Sequence, residues 1–288
     1  MSGNYQLVRL RNGAHSVRAL AEGEVFHPGL GPVAEAEALY ARQLRLVERA
    51  RSAADEFILW DVGLGAAANA LCALRALSAV PGKIRLASFD HTDAPLAFAR
   101  QNAAALGYFS GYETHVDALL REKIVTFQNG QSRVTWQFYL GDFPAWLAQA
   151  TATASPHAIL YDAFSPAKNP AMWTLPVFER LFQRLDSTRP CALTTFSRST
   201  LVRVTLLLAG FYAGTGSATG LKEETTIAAN TLDLIANPLD SRWLERALRS
   251  PCAEPLREPV YTRARLTAAT RSQLLRHPLF QIDGPKIS

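Results

Sequence analysis

Phe57-Ile58-Leu59-Trp60-Asp61-Val62-Gly63-Leu64-Gly65 is the stretch on which the fold turns. Four consecutive large apolar residues read as a strand buried on both faces. The strand runs directly into two glycines, which let the chain turn tightly and bring backbone N–H groups close to a ligand. Residues 66–78 are rich in Ala and Leu and read as a helix, whose N-terminus adds a partial positive charge. Strand, glycine turn and helix in that order form a nucleotide-type site at the carboxyl edge of a sheet, although a tight turn with a purely structural role would look the same.

The pattern repeats outward from this unit. Strands are expected over 84–89, 134–140, 158–161 and 191–196, and helices over 95–106, from Pro144, up to about Leu185 and over 200–209. Segments 211–215 and 226–229 read as a closing hairpin. Residues 107–133 read as an irregular insertion. Strands alternating with helices imply an α/β fold of the Rossmann-like class, with a mostly parallel sheet covered on both faces and a closing antiparallel hairpin. Before it, 1–56 form an N-terminal extension, with short strands near Val8 and Val17, a Pro/Gly loop over 26–32 and a helix over 34–51. The alternating α/β core is assigned to 57–237 as the main domain, and 238–288 form a Pro-rich basic C-terminal extension. There, nine Lys/Arg stand against four Asp/Glu between Arg242 and Lys286, either as a solvated covering layer or as a surface for a polyanion.

The bulk properties fit a folded enzyme. The 288 residues are 48% hydrophobic and 19% charged, enough for one large domain with a modest appendage. The net charge is +5, which suits a polyanionic partner without requiring one. Cys72, Cys191 and Cys252 are scattered, which argues against a disulfide framework and a zinc site. No basic-then-apolar leader and no run of about 20 apolar residues is present, so a cytoplasmic protein without membrane contact is expected.

The ends of the strands carry the candidate chemistry. The dinucleotide pattern G-x-G-x-x-G fails, because Ala68 stands where the third glycine belongs. A two-glycine turn at Gly63 and Gly65 preceded by Asp61 is more typical of S-adenosylmethionine sites. Asp90 closes the second strand, where a carboxylate accepts hydrogen bonds from ribose hydroxyls. Asp142 follows the third strand, where it can meet an adenine amino group. Each acid alone is equally a cap or turn former, but three in order are hard to ascribe to chance. The fourth strand ends in Asp162, which opens a loop bearing Phe164, Lys168 and Asn169: a carboxylate, a ring to stack a flat substrate, a cation and an amide. A Pro-stiffened connection with Phe164 and Trp173 in the core is the plainer reading.

Asp162-Ala163-Phe164-Ser165-Pro166-Ala167-Lys168-Asn169-Pro170, followed by Met172-Trp173, resembles the D-[GA]-F-[AS]-P-x-K-N-P-x-[ML]-W signature of the MnmC-type methyltransferases. The Gly63–Asn69 turn, Thr194-Thr195-Phe196-Ser197, the 214–226 segment and the early His27-Pro28, Gly31-Pro32 and Glu35-Ala36 are also similar, so the likeness covers about residues 10–235. It implies transfer of a methyl group from S-adenosylmethionine to the 5-aminomethyl group of the wobble uridine in tRNA. Asp162, Phe164 and Lys168 are then catalytic, and Asp61, Gly63, Gly65, Asn69, Asp90 and Asp142 hold the donor. Asn169, Trp173, Arg198 and Lys222 meet the substrate, with Arg203 extending the basic surface. No metal is expected. The family's larger members add a flavin-dependent oxidase, for which this chain has neither length nor a second glycine fingerprint, so no FAD is expected.

The family turn reads [ED]-x-G-F-G-T-G-x-N, and here Ala66 and Ala67 replace the Thr and the third Gly. Two other readings stand beside the first: a methyltransferase for a small amine or a protein, and a binding protein of the same fold that has lost catalysis.

Overall fold

A computed structural model describes residues 4–149, 154–219 and 223–281. The chain opens with a three-stranded antiparallel sheet, β1 (Tyr5–Arg9), β2 (His15–Ala19) and β3 (Glu24–Val25). The single helix expected over 34–51 is interrupted. α1 (Pro32–Ala36) passes into a π-helical turn over Glu37–Arg42, and Arg45, with φ +48°, breaks the path before α2 (Leu46–Arg51). The break has a packing cause: Leu39, Tyr40, Leu44 and Leu46 are all buried, yet they do not share one face of a straight helix.

The core then follows in order: β4 (Glu56–Val62), α3 (Ala68–Leu77), β5 (Gly82–Asp90), α4 (Ala94–Gln101), α5 (Ala103–Leu106) and α6 (Glu113–Glu122). Next come β6 (Ile124–Asn129), β7 (Ser132–Leu140), α7 (Phe143–Gln149), β8 (Ala158–Tyr161), a 3-10 turn at Pro170–Trp173, α8 (Leu175–Gln183), β9 (Ala192–Thr195) and α9 (Thr200–Leu208). β10 (Tyr212–Gly216) and β11 (Thr225–Ala229) form the closing hairpin. The insertion at 107–133 is more regular than expected: it supplies α6 and β6, and β6 pairs antiparallel with β7.

The eight strands lie in the order β10-β11-β9-β8-β4-β5-β7-β6. β4 pairs in parallel with both β5 and β8, which places its turn at the centre of the carboxyl edge. Successive residues of β4 divide between two cores: Phe57 and Leu59 join the cluster under α1 to α6, while Ile58, Trp60 and Val62 join that under α7 to α9. Both faces are thus buried, as the continuous apolar run requires.

The C-terminal extension carries α10 (Ser241–Arg249) and α11 (Ala268–Leu275). Trp243, Leu244, Ala247, Leu274 and Leu279 pack with Val204 and Leu207 of α9 and Ala213 of β10 in a third apolar cluster. No described helix is long and apolar enough to cross a membrane.

Candidate active site

The turn after β4 is held by its neighbours. The N–H groups of Gly63 and Leu64 both donate to the Phe89 carbonyl, at 2.9 and 3.1 Å. Gly65 N–H donates to Asp90 Oδ2 at 2.9 Å, so the Asp90 carboxylate is fastened to the turn itself. Gly63 has φ +94°, and a Cβ there would lie 2.8 Å from the Asp162 carbonyl oxygen. The turn and the start of the 162–173 loop therefore touch backbone to backbone, which only glycine allows.

Above this edge opens a cavity of about 740 Å³, within the size range of sites for small organic ligands. Its wall includes Gly63, Gly65, Asn69, Asp90, Asp142, Asp162, Phe164, Lys168 and Asn169, so nine of the thirteen candidate residues converge on one space. Among the described residues six carboxylates line it (Glu22, Glu24, Glu35, Asp90, Asp142 and Asp162), against Lys168 alone among lysines and arginines. Such a wall suits cationic ligands. Among the described residues no group of three His, Cys, Asp or Glu is arranged to hold a metal ion.

Asp162 is the best-organised acid. Asn69 Nδ2 donates to its Oδ2 at 2.6 Å, and His27 Nε2 lies 3.4 Å from the same oxygen. His27 Nε2 also lies 2.9 Å from Asn69 Oδ1; since that oxygen can only accept, Nε2 carries the hydrogen. Asn69, which lines the cavity, bridges the imidazole and the carboxylate. Burial alone would lower the His27 pKa, but the hydrogen bond and charge of Asp162, with Glu35 and Asn69, outweigh it and the net shift is upward. His27 sits at φ +52°, a left-handed conformation that costs a non-glycine residue roughly 1 kcal/mol or more.

The remaining placements revise several expectations. Asp61 is fully buried beneath the turn and does not line the cavity. Ser88 Oγ donates to its Oδ2 at 2.9 Å, while Oδ1 has no hydrogen-bond partner. Burial, partly opposed by the Ser88 hydrogen bond and reinforced by the charges of Asp162 and Asp90, raises its pKa to about 7. Asp142 lines the cavity, and its Oδ1 accepts from Ala145 N–H at 2.7 Å, so one oxygen caps α7. Phe164 is half-buried against Phe26, with ring centroids 5.6 Å apart. Trp173 is not a wall residue: it is fully buried, and its indole N–H donates to the Phe164 carbonyl at 2.7 Å. It therefore shapes the loop from behind. Lys168 is exposed at the wall. Arg198 is exposed but outside the cavity wall. Arg203, expected on the basic surface, is buried: it bonds Thr226 Oγ1 (3.0 Å) and the Thr225 carbonyl (2.9 Å) and pairs with Glu224 (3.1 Å). Its depth on the inner face of α9 leaves it no access to a partner. Lys222 lies outside the described residues.

One whole wall escaped the sequence reading. Tyr5, Glu22, Glu24, Phe26, His27 and Glu35, from the N-terminal sheet, the loop after it and α1, close over the cavity, and Ser165 Oγ donates to Glu24 Oε1 at 2.8 Å. The His27-Pro28 pair was noticed only as part of a likeness; a histidine in a Pro/Gly loop gives no local sign that it will meet an aspartate far along the chain.

The strand order, the glycine turn after β4 and the cavity above it define an α/β fold of the Rossmann-like class. A family model described as S-adenosyl-L-methionine-dependent methyltransferase matches residues 112–231. The chain is related to the tRNA 5-methylaminomethyl-2-thiouridine biosynthesis bifunctional protein MnmC. It is 29% identical to that of Methylibium petroleiphilum over 231 residues, 77% of this chain and 34% of the relative. It is 27% identical to that of Pseudomonas putida over 241 residues, 78% of this chain and 35% of the relative. The chain thus spans about a third of the length of these relatives. Among solved structures, MnmC2 from Aquifex aeolicus superposes with a TM-score of 0.70 at 24% identity, covering 88% of this chain and 79% of that one. A spermidine synthase in complex with the transition-state analogue AdoDATO shares the fold at a TM-score of 0.52 and 10% identity.

Proposed function

We propose that this protein methylates the exocyclic amine of a 5-aminomethyl uridine at the wobble position of tRNA, with S-adenosylmethionine as donor. The observation that carries the reading is the Asp162 carboxylate, fixed by Asn69 and His27 in a cavity whose wall is acidic. The likeness to MnmC proteins supports the choice of acceptor.

The turn at Gly63 and Gly65, with Asp90, would hold the donor, whose sulfonium supplies an electrophilic methyl group. The Asp61 Oδ1 left without a partner under the turn is consistent with a cationic ligand above it. Asp162 does the work of orientation. A primary alkyl amine has a pKa near that of lysine, roughly 10, and reaches the site as an ammonium. The carboxylate binds that cation, and once the proton has passed to water it keeps an N–H hydrogen bond that fixes the direction of the nitrogen lone pair. Asn69 and His27 prevent Asp162 from rotating away. Phe164, braced by Phe26, offers a face on which an extruded base can stack. Lys168 stands at the wall for a neighbouring phosphate.

The test is methyl transfer from radiolabelled donor to tRNA isolated from cells lacking the final methyl, with nucleoside analysis of the product. Label in the wobble nucleoside is expected. Asp162→Asn is expected to lower kcat by a factor of about 100 or more while donor affinity, read by calorimetry, stays within about threefold. The acidic, partly enclosed cavity equally suits a small free amine. Label in a polyamine or lysine, with none in tRNA, would establish that second reading and overturn the first.

A further inference from the structure

The signs of charge are segregated in this molecule. The cavity is lined by carboxylates, which repel a phosphate backbone, so an RNA substrate needs its anchorage elsewhere. Within 241–281 there are eight arginines, all exposed, against Glu245, Glu254 and Glu258. Among the described residues only Arg257 of the eight is in an ion pair, a loose one with Glu254 at 3.8 Å. Arg242, Arg246 and Arg249 follow one another at i, i+4 and i+7 along α10 and share one face. The opposite face, with Trp243, Leu244 and Ala247, is buried against α9 and β10. Arginine so placed costs desolvation nothing and leaves its fork of donors free for phosphate oxygens.

α10 packs through Trp243, Leu244 and Ala247 on Val204 and Leu207 of α9, the helix that follows the carboxyl end of β9. The extension also reaches the loop of the site. Leu175 N–H donates to the Leu256 carbonyl at 2.7 Å, and Thr174 bridges Leu256, so the extension is fastened directly behind the 162–173 loop, with Arg257 next in line.

We propose that the arginine face of α10 is the docking surface for the phosphate backbone of the RNA, holding the folded molecule while one nucleotide enters the acidic cavity. The inference rests on the tRNA reading above, but it assigns the binding energy to a surface that the methyl-transfer chemistry does not require.

The test is filter binding of an in vitro transcribed tRNA to the full chain across a salt series. The probe protein is Arg242→Ala/Arg246→Ala/Arg249→Ala, and the control is Lys83→Ala/Arg121→Ala/Arg133→Ala, which removes equal charge from exposed positions at the β5–β7 side of the sheet. Thermal midpoint and donor binding report that both variants are folded. The α10 variant is expected to bind at least about tenfold more weakly at 0.15 M salt and to lose roughly 2 to 3 from the magnitude of the slope of log K against log salt, at 0.7–0.9 per phosphate contact. The control is expected to stay within about twofold. Equal losses in both variants would mean general charge and overturn the docking surface. Unchanged binding in both, with wild type binding tRNA, would overturn it and leave the tRNA reading intact. No tRNA binding by wild type, or capture by vesicles containing phosphatidylserine in its place, would remove both.

Discussion

Ala67 shows how one residue records a departure from a family pattern. It replaces the third glycine of the turn, and the structure holds it at φ +61°, a left-handed conformation that costs an L-residue roughly 1–2 kcal/mol. Ala67→Gly relieves that strain but gives the unfolded chain more freedom, worth about 0.4–1 kcal/mol, so a net gain of up to about 1 kcal/mol is expected in thermal or urea unfolding. Asp61 makes a prediction in pH. Its pKa is raised to about 7 from 3.8, so the folded state binds the extra proton between those values. Its contribution to stability is complete below pH 4 and is lost as pH rises through 7. Asp61→Asn removes this loss, so between pH 5 and 8 the variant's stability relative to wild type is expected to improve by about 2 kcal/mol in paired urea titrations. A flat difference would show that the buried carboxyl does not titrate.

At the scale of elements, what was legible was local and what was not was tertiary. β4 and its turn could be read because four apolar residues and two glycines are consecutive, and the 162–173 loop because its whole motif is contiguous. The N-terminal wall could not. His27 meets Asn69 across 42 residues of sequence, and Glu24 meets Ser165 across 141, with no periodicity linking them. Arg203 was misread for a related reason: a lone arginine within α9 gives no sign of facing Thr225, Thr226 and Glu224 across the layer. The irregular insertion at 107–133 misled because α6 buries only Val116 and Leu119, a thin apolar stripe. The join between β4 and β8 makes its own prediction. Gly63→Ala places a methyl group 2.8 Å from a backbone oxygen at a positive φ, and neither strand can move without breaking its ladder. A loss of about 2–4 kcal/mol is expected, with weakened donor binding in whatever fraction remains folded.

At the scale of the molecule, the C-terminal segment is less an appendage than the division at 238 suggests. Gly214 bridges Pro238, and the third apolar cluster is shared between α9, β10 and the extension. Burying Trp243, Leu244, Leu274 and Leu279 contributes about 2 kcal/mol each, comparable in sum to the whole stability of a typical domain. A chain ending at Asn237 is expected to aggregate or to unfold without a cooperative transition, readable by light scattering and calorimetry. A soluble, cooperatively folding truncate would show the core to be self-sufficient.

The hydrogen bond from Ser165 to Glu24 also bears on biosynthesis. On a ribosome adding roughly 5–20 residues per second, the first three strands wait about 7 to 28 seconds for the loop that will cover them. During that interval Phe26 lacks Phe164 and Glu24 lacks Ser165, and no nascent fragment that stops short of Thr219 contains the whole wall of the cavity. Slow decoding within that window would lengthen the exposure of an aromatic surface, while the finished enzyme would be unchanged.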